Sequence, residues 1–507
     1  MAIDGGTSAR LFHERTKHSP TSVQSGPHTL DWENRPLAFK IYRDLQGEAM
    51  PQSFEPGKTA ALRAIADTPL PREGELPDRA ALGRLLHYSL GILRRRQLED
   101  GHWVYFRAAP CTGALYHVDA YIVCGDLPDL AAGVYHFGPH DFALRRLRLG
   151  DFRSVLVEAT SGEARVAAAP VVLVLASTYW RNSWKYRQRA YRHVFWDGGT
   201  VIAQLLAQAV ADRWIAKVVL GFADAPVESL CGLDPRREGV IAILPIGGGS
   251  PPSPLRSAPD EIHYVTEPLS TRESDYPEIR EVHAATALAD GSAAREWRAA
   301  AVVPARTPSA GSLAPLRPDL GAAVDPLEVV IRRRGSTRIF ARRPLSSVAF
   351  ANLLSAASAP LDADYRATAS SSLVELFVIA KAVEGLPSGC YRWHTAERAL
   401  EQLSLGDRRA EAGYLALGQA LGADAAVDVY AIADLDQLFA SLGGRGYRAA
   451  QLDGGISGGR LYLAAYAQGI GATGLTFFDD DVAQIFGLDP ARFGVMFLTV
   501  AGIPSRS

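Results

Sequence analysis

The sequence predicts an α+β protein made of two copies of one mixed domain, and three observations carry that reading. The segment GVYHFGPHDFALRRLRLGD (133–151) aligns without gaps to GCYRWHTAERALEQLSLGD (389–407), an offset of 256 residues, with the Gly, Tyr, Ala-Leu, Leu and Leu-Gly-Asp positions identical. The same offset pairs Asp197-Gly198-Gly199 with Asp453-Gly454-Gly455, and an offset one shorter pairs VESLCGLDP (227–235) with VAQIFGLDP (482–490) and Gly247 with Gly502. Helix and strand patterns are mixed without a βαβ rhythm, which argues against a doubly wound parallel sheet.

The elements follow in the same order in each copy. An apolar helical run, LLHYSLGIL (85–93) or FANLLSAAS (350–358), comes first. A short polar loop leads to a β-rich run, AYIVCGD (120–126) or ELFVIAKAV (375–383), and then to the Gly-Xaa-Tyr strand and turn. The Asp-Gly-Gly helix is next, followed by a short helix ending in Gly-Leu-Asp-Pro and a last apolar strand, VIAILPIG (240–247) or VMFLTVAG (495–502). Residues 251–322 are rich in Pro, Ser, Ala and charge and read as a linker or lid. The expected organisation is an N-terminal domain over 1–250, this segment, and a C-terminal domain over 323–507.

Composition sets the limits. A chain of 507 residues is too long for one core, and its 48% apolar and 21% charged residues suit a globular protein. A formal charge of −2 gives no field that would draw nucleic acid or anionic lipid. The N-terminus lacks the apolar stretch of a signal peptide, and no uninterrupted apolar run of about 18 residues occurs, so the expectation is a cytoplasmic protein without a membrane or nucleic-acid partner. Cys111, Cys124, Cys231 and Cys390 are widely spaced and form no CxxC, so neither a disulfide framework nor a metal site is expected. They read as buried thiols, Cys111 being the candidate exception. His136 and His140 share a turn with Gly138 and Pro139 and read as surface histidines rather than metal ligands.

Two stretches bear chemistry. In RRRGSTRIF, Arg334, Ser336 and Arg338 alternate on what reads as the lead-in to a helix, placing two guanidinium forks and a hydroxyl on one side, the grouping that a phosphate monoester needs. The bland alternative is a solvated basic run. In WKYRQRAYR, Lys185 stands between aromatics, where desolvation would take its charge or where, as a cation, it would lower the phenol pKa of Tyr186. A basic, aromatic helix face is the alternative there. Gly469 to Gly474 fits GxGxxG but follows an apolar helix instead of a strand, so a dinucleotide fingerprint is rejected. Gly455 to Gly459 fits GxSxG without a preceding strand, so a hydrolase elbow is rejected too.

HERTKHS near the N-terminus, PCTGALY, WKYRQRAYRHVFWDGG and RRRGSTRIF, in that order, resemble the SagB/ThcOx-type azoline dehydrogenases, tandem members of the nitroreductase family, over nearly the whole chain. The resemblance implies two fused nitroreductase-like domains forming an intramolecular pseudo-dimer with FMN at their interface. It implies that Arg334, Ser336 and Arg338 hold the FMN phosphate, with Arg506 reaching it from the C-terminus. It sets Pro110, Cys111, Thr112, Gly113 and Ala114 against the flavin ring, similar to the family's Pro-Ser-Ala-Gly-Ala but departing at Cys111 and Thr112. Arg107 becomes a flavin or substrate contact, and Gly471, Ala472, Thr473 and Gly474 ring-side backbone contacts.

Lys185 and Tyr186 match the family's catalytic pair, and Arg189, Tyr191 and Arg192 are then expected to position substrate. A complementary site, made from His13–Ser19 and Thr368-Ala369-Ser370, keeps the pattern poorly and is expected to be empty. The implied activity is FMN-dependent oxidation of thiazoline or oxazoline rings in a peptide or carrier-bound intermediate, alongside a cyclodehydratase or synthetase partner. Such a reaction needs one positioned base and a hydride acceptor. The alternatives are an NAD(P)H-dependent nitro or quinone reductase, and a non-catalytic scaffold subunit of a biosynthetic complex that binds no flavin.

Overall fold

The computed structural model describes all residues except 1–4, 25–28, 68–73, 98, 100, 102, 253–258, 307, 308, 310, 506 and 507. In the first half the strands are β1 (Glu48–Ala49), β2 (Ile92–Gln97), β3 (Trp103–Arg107), β4 (Val118–Cys124), β5 (Gly133–Gly138), β6 (Ala143–Leu149), β7 (Val171–Thr178) and β8 (Glu238–Ile246). In the second they are β9 (Leu313–Pro315), β10 (Phe340–Ala341), β11 (Glu375–Ala380), β12 (Gly389–His394), β13 (Ala399–Leu405), β14 (Val427–Asp434), β15 (Gly471–Gly474) and β16 (Phe493–Pro504). The first sheet runs β1-β6-β5-β4-β7-β8 and the second β9-β13-β12-β11-β14-β16, ending on β10 with β15 also on β16. The two orders are the same, every named strand pair is antiparallel, and the α+β class with two copies is what the chain adopts.

Alternation explains how a sheet this apolar is used on both faces. In β7, Val171, Leu173 and Leu175 join the large core shared by the halves, whereas Val172, Val174 and Ala176 join a second core beneath helices of the first half. β2 and β3 form a separate hairpin in the first half alone.

Each half contributes one central helix, Ala190–Ala211 and Leu435–Ala467, and the two pack against each other. The repeated Asp-Gly-Gly is explained by three consecutive neighbours. Gly198 faces Ile241 of β8, and Gly454 faces Met496 of β16. Gly199 and Gly455 meet at the crossing, where a Cβ on Gly199 would stand 2.6 Å from the Gly455 carbonyl carbon. Any side chain there would push the halves apart. The stretch Tyr179–Ala211 has the length and apolarity of a membrane span by those two measures alone, but 83% of its most apolar window is buried inside the protein.

Two matching ion clamps hold the crossing. Arg189 and Arg192 of the first half reach Asp479 of the second, at 2.9 and 2.6 Å. Arg445 and Arg448 reach back to Asp224, at 2.7 and 2.6 Å. Arg192 also donates to Thr16 Oγ1 and the His13 carbonyl, and Arg448 to Thr286 Oγ1 and the His283 carbonyl. His13-Xaa-Xaa-Thr16 and His283-Xaa-Xaa-Thr286 are therefore counterparts, on helices Gly5–Arg15 and Pro277–Ala285. The segment read as a linker or lid carries this helix, a second helix at Gly291–Ala299, and β9.

Candidate functional site

The chain leaves β3 at Arg107 and turns through Pro110–Ala114 beneath the first central helix. Asp197 pins this loop. It accepts from Thr112 N and Oγ1 (2.9 and 2.8 Å), from Cys111 Sγ (3.1 Å) and from His117 Nε2 (2.8 Å). Cys111 and Thr112, the two departures from the family loop, both spend their side-chain hydrogens on this carboxylate. Burial and the Asp197 charge push the Cys111 thiol well up, so it stays protonated and donating. Thr200 Oγ1 fixes the Pro110 carbonyl at 2.7 Å. The backbone takes positive φ at Gly113 (63°), Ala114 (54°) and Tyr116 (50°), a strained run that the Asp197 bonds over-determine.

Lys185 and Tyr186 end the helix Tyr179–Tyr186, which stops at Arg187, φ 50° and ψ −140°. The Tyr186 hydroxyl lies against the loop, 2.8 Å from where a Cβ on Gly113 would stand, so Gly113 is required by both its φ and its space. Burial, with Asp197 and Cys111 nearby, raises the Tyr186 phenol and keeps it protonated. Lys185 is half-buried with its ammonium 5.3 Å from the Tyr186 ring centroid. Burial lowers its pKa, and Arg35 and Arg338 lower it further. Of the two readings of this pair, desolvation of the lysine is the one the environment favours; a phenol lowered by Lys185 is not.

Arg338 comes from the second half, and its influence on Lys185 sets residues 334–338 and the Lys185-Tyr186 pair in one neighbourhood. Residues 334–338 run extended from the end of the helix Leu327–Arg333 into β10, rather than leading into a helix. The cause is a backbone partner: Thr337 N donates to Ala472 O of β15 at 3.0 Å, and Thr337 fills the space beside Gly471. Gly471, Ala472, Thr473 and Gly474 form β15, so they dock residues 334–338, and the Gly474 N–H donates to the Tyr462 hydroxyl.

Arg334 is buried and gives its nitrogens to backbone carbonyls: Ala108 at 2.9 Å, Arg107 at 3.1 Å and Gly335 at 3.3 Å. It stitches the second half to the first half's loop and uses three of its five N–H groups in all, while Arg338 is exposed and Ser336 half-buried. Arg107 is buried, donates to the carbonyls of Ala38 (2.7 Å) and Val118 (3.3 Å), and lines a small cavity with Pro110, Cys111 and Asp197. Arg506 lies outside the described residues.

Arg189, Tyr191 and Arg192, expected beside substrate, are buried in the clamps and the helix crossing. The complementary site also takes a different form. His13–Ser19 packs in a clamp, and Asp453, the counterpart of Asp197, holds Ser372 Oγ and Leu373 N, both at 2.8 Å, instead of Thr368-Ala369-Ser370. Ala60 pairs with Pro326 where the halves meet, so the counterpart of 334–338 falls at 68–72, outside the described residues, where the sequence reads Thr-Pro-Leu-Pro-Arg. Ser441 and Leu442 stand at the 256-residue offset from Lys185 and Tyr186, so only the first half carries the pair. His136, expected at the surface, lies buried in β5 because its side alternates into the second core against Tyr42 and Tyr121. All four cysteines are free, with Cys111 alone partly exposed.

Sequence reasoning missed Asp197, His117, Arg35 and Arg94. The repeated Asp-Gly-Gly was the available signal for the first; the others carry none.

Residues 331–502 match the nitroreductase family profile, and the chain carries a nitroreductase-family domain there. A curated protein of Methanocaldococcus jannaschii that bears the nitroreductase name is 25% identical over 142 residues, covering 28% of this chain and 70% of that protein. A crystal structure from Anabaena variabilis, also described as a nitroreductase, is similar over 98% of this chain and 99% of its own, with 27% identity and a TM-score of 0.74. The fold of the whole chain is accordingly a nitroreductase-like one.

Proposed function

We propose that this protein is an FMN-dependent dehydrogenase that oxidises thiazoline or oxazoline rings in a peptide or carrier-bound intermediate, working beside a cyclodehydratase or synthetase. The observation that carries the reading is Lys185: half-buried, its charged form disfavoured by burial, Arg35 and Arg338, and set next to a hydroxyl on the loop that would face the flavin. The residues also fit the cofactor. Arg35, Arg94, Lys185, Arg334 and Arg338 are linked through one neighbourhood, and none makes an ion pair to a carboxylate among the described residues. Surplus positive charge of this kind suits a phosphate monoester.

Ser336 and Arg338 would hold the phosphate, and the backbone of 110–114 and 471–474 would border the ring. Bound FMN supplies the two-electron hydride acceptor that azoline oxidation needs. The chain supplies the proton acceptor. A neutral Lys185 takes the acidic proton beside the imine and carbonyl, and the protonated Tyr186 hydroxyl is available to donate to a substrate carbonyl. Asp197 keeps the loop and the Tyr186 contact in place.

Lys185→Ala is expected to lower azoline turnover by roughly 10²- to 10⁴-fold, the usual worth of a positioned base, while the purified protein still binds FMN by absorbance. Undiminished turnover would remove Lys185 from the reaction, and a chain that neither retains nor takes up FMN would remove the dehydrogenase reading.

A further inference from the structure

We infer that the β2–β3 hairpin is a docking site for an acidic, extended segment of the substrate peptide, which it receives by strand addition; this rests on the peptide reading above. The hairpin is a two-stranded sheet of its own, with the outer edges of both strands unpaired among the described residues. Arg94, Arg95 and Arg96 are consecutive and exposed on β2, and none makes an ion pair among the described residues. Arg95 lies over the Trp103 ring at 4.9 Å, which holds its guanidinium at the surface. Beside the hairpin runs a groove lined by Ile92, Leu93, Tyr105 and Phe142, with Arg94 and Arg95 also lining it. Its one acidic neighbour, Asp141, is bound to Arg145 at 2.6 Å.

A free strand edge, apolar side pockets and unpaired cations are together the features that recognise an extended peptide with acidic side chains. Position adds a reason for the site to exist. The second half has no strand between its helix Ser347–Ala357 and β11, so the hairpin belongs to the half that bears Lys185. β3 runs through Arg107 straight into the 110–114 loop, and Arg94 touches the Arg334 carbonyl at 3.3 Å. A peptide added along the hairpin would therefore be led toward the candidate site.

The test uses the full chain with FMN and two short fluorescein-labelled peptides, one alternating Asp and Val and one alternating Lys and Val. Anisotropy is expected to show binding of the acidic probe alone, weakened at least about tenfold by raising NaCl from about 50 to about 300 mM. Arg95→Glu with Arg96→Glu, and separately Arg95→Gln with Arg96→Gln, are expected to weaken it similarly. Hydrogen exchange is expected to show the β2 amides protected by the acidic probe. Unchanged affinity in both variants, absence of β2 protection, or equal binding of polyuridylate would overturn the docking site. Turnover of a small free azoline and FMN binding are expected to be unchanged in the variants. Absence of that turnover in the unaltered chain would count against the dehydrogenase, whereas the probe measurements address the hairpin alone.

Discussion

Replacing Asp479 with Asn removes the charge from a clamp buried between the halves while keeping its shape. The carboxylate receives Arg189 at 2.9 Å, Arg192 at 2.6 Å and the His18 N–H at 2.8 Å. The side chains of the three charged residues are 0 to 4% exposed. Burial alone would raise the Asp479 carboxyl, but the two guanidiniums outweigh it and hold the group well below the usual carboxylate range. Asn can still accept from His18, yet it leaves two buried guanidiniums without a counter-charge, and breaking a buried pair in this way costs about 3–5 kcal/mol. With a urea dependence of about 3 kcal/mol per molar, the unfolding midpoint falls by about 1 to 1.7 M. Asp224 stands in the mirrored clamp, so Asp224→Asn is expected to cost a similar amount. Urea titrations followed by tryptophan fluorescence and circular dichroism measure both. A shift below about 0.3 M in either variant, or a large shift in one only, would refute the equivalence of the clamps. Adding Arg192→Met to Asp479→Asn removes one stranded charge, so the double variant is expected to be less destabilised than the sum of the singles.

Three further outcomes follow from the same geometry. Stability is expected to fall as pH drops below 6.5. Burial lowers His13, His140, His193 and His283, and takes His87 to about 4 and His18 and His136 to about 3. The unfolded chain accepts protons near 6.5 that the native state refuses, so stability is complete above 6.5 and drains toward the folded values, by up to about 1.4 kcal/mol per pH unit per group. Asp364 and Asp428, raised to about 6 by burial, and Asp212, also raised by burial, oppose this as three groups against seven; urea midpoints flat from pH 7.5 to 5 would contradict the burial of these imidazoles. Gly443, φ 54° and ψ −155°, is the counterpart of Arg187, and a Cβ on it would meet nothing within 4 Å. Gly443→Ala therefore reports backbone strain alone, expected at about 1–3 kcal/mol, and Arg187→Gly is expected to raise the thermal midpoint; opposite signs would mean that the kink is not strained. Arg338→Gln is expected to weaken FMN binding roughly 10- to 100-fold in a flavin-fluorescence titration, and unchanged affinity would exclude Arg338 from the phosphate site.

The repeat was legible because its marks are backbone requirements. Gly199 and Gly455 are fixed by the helix crossing, the glycines of Gly-Xaa-Tyr by a carbonyl of the neighbouring strand against them, and those of Gly-Leu-Asp-Pro by a positive φ, so identity survives there while the intervening surface diverges. The grouping of 110–114, 185–186, 334–338 and 471–474 was legible through motif residues, and the structure brings all four together. The clamps were not legible. Arginines and aspartates are read from sequence as surface residues because isolated charges avoid burial, and only the fold reveals that Arg448 and Asp224 bury one another. The counterpart helix at 277–285 was hidden because the clamp asks it for only His283 and Thr286, two positions that a Pro- and Ser-rich neighbourhood masks. Arg334 was placed on the phosphate by its spacing, but spacing cannot show that the Arg107 and Ala108 carbonyls would claim its nitrogens.

Fusion of the halves explains which features remain doubled and which do not. Packing at a pseudo-twofold axis needs both members of each symmetric contact, so the glycine crossing and the two Asp clamps persist in pairs. A composite site needs its parts only once. The first half keeps Lys185, Tyr186 and the hairpin, with Ser441 and Leu442 opposite; the second keeps Arg-Gly-Ser-Thr-Arg, with Thr-Pro-Leu-Pro-Arg opposite. In a symmetric dimer of identical chains each of these losses would disable both sites. In a fused chain one full set of these residues remains, and the other half's surface is released from keeping a second.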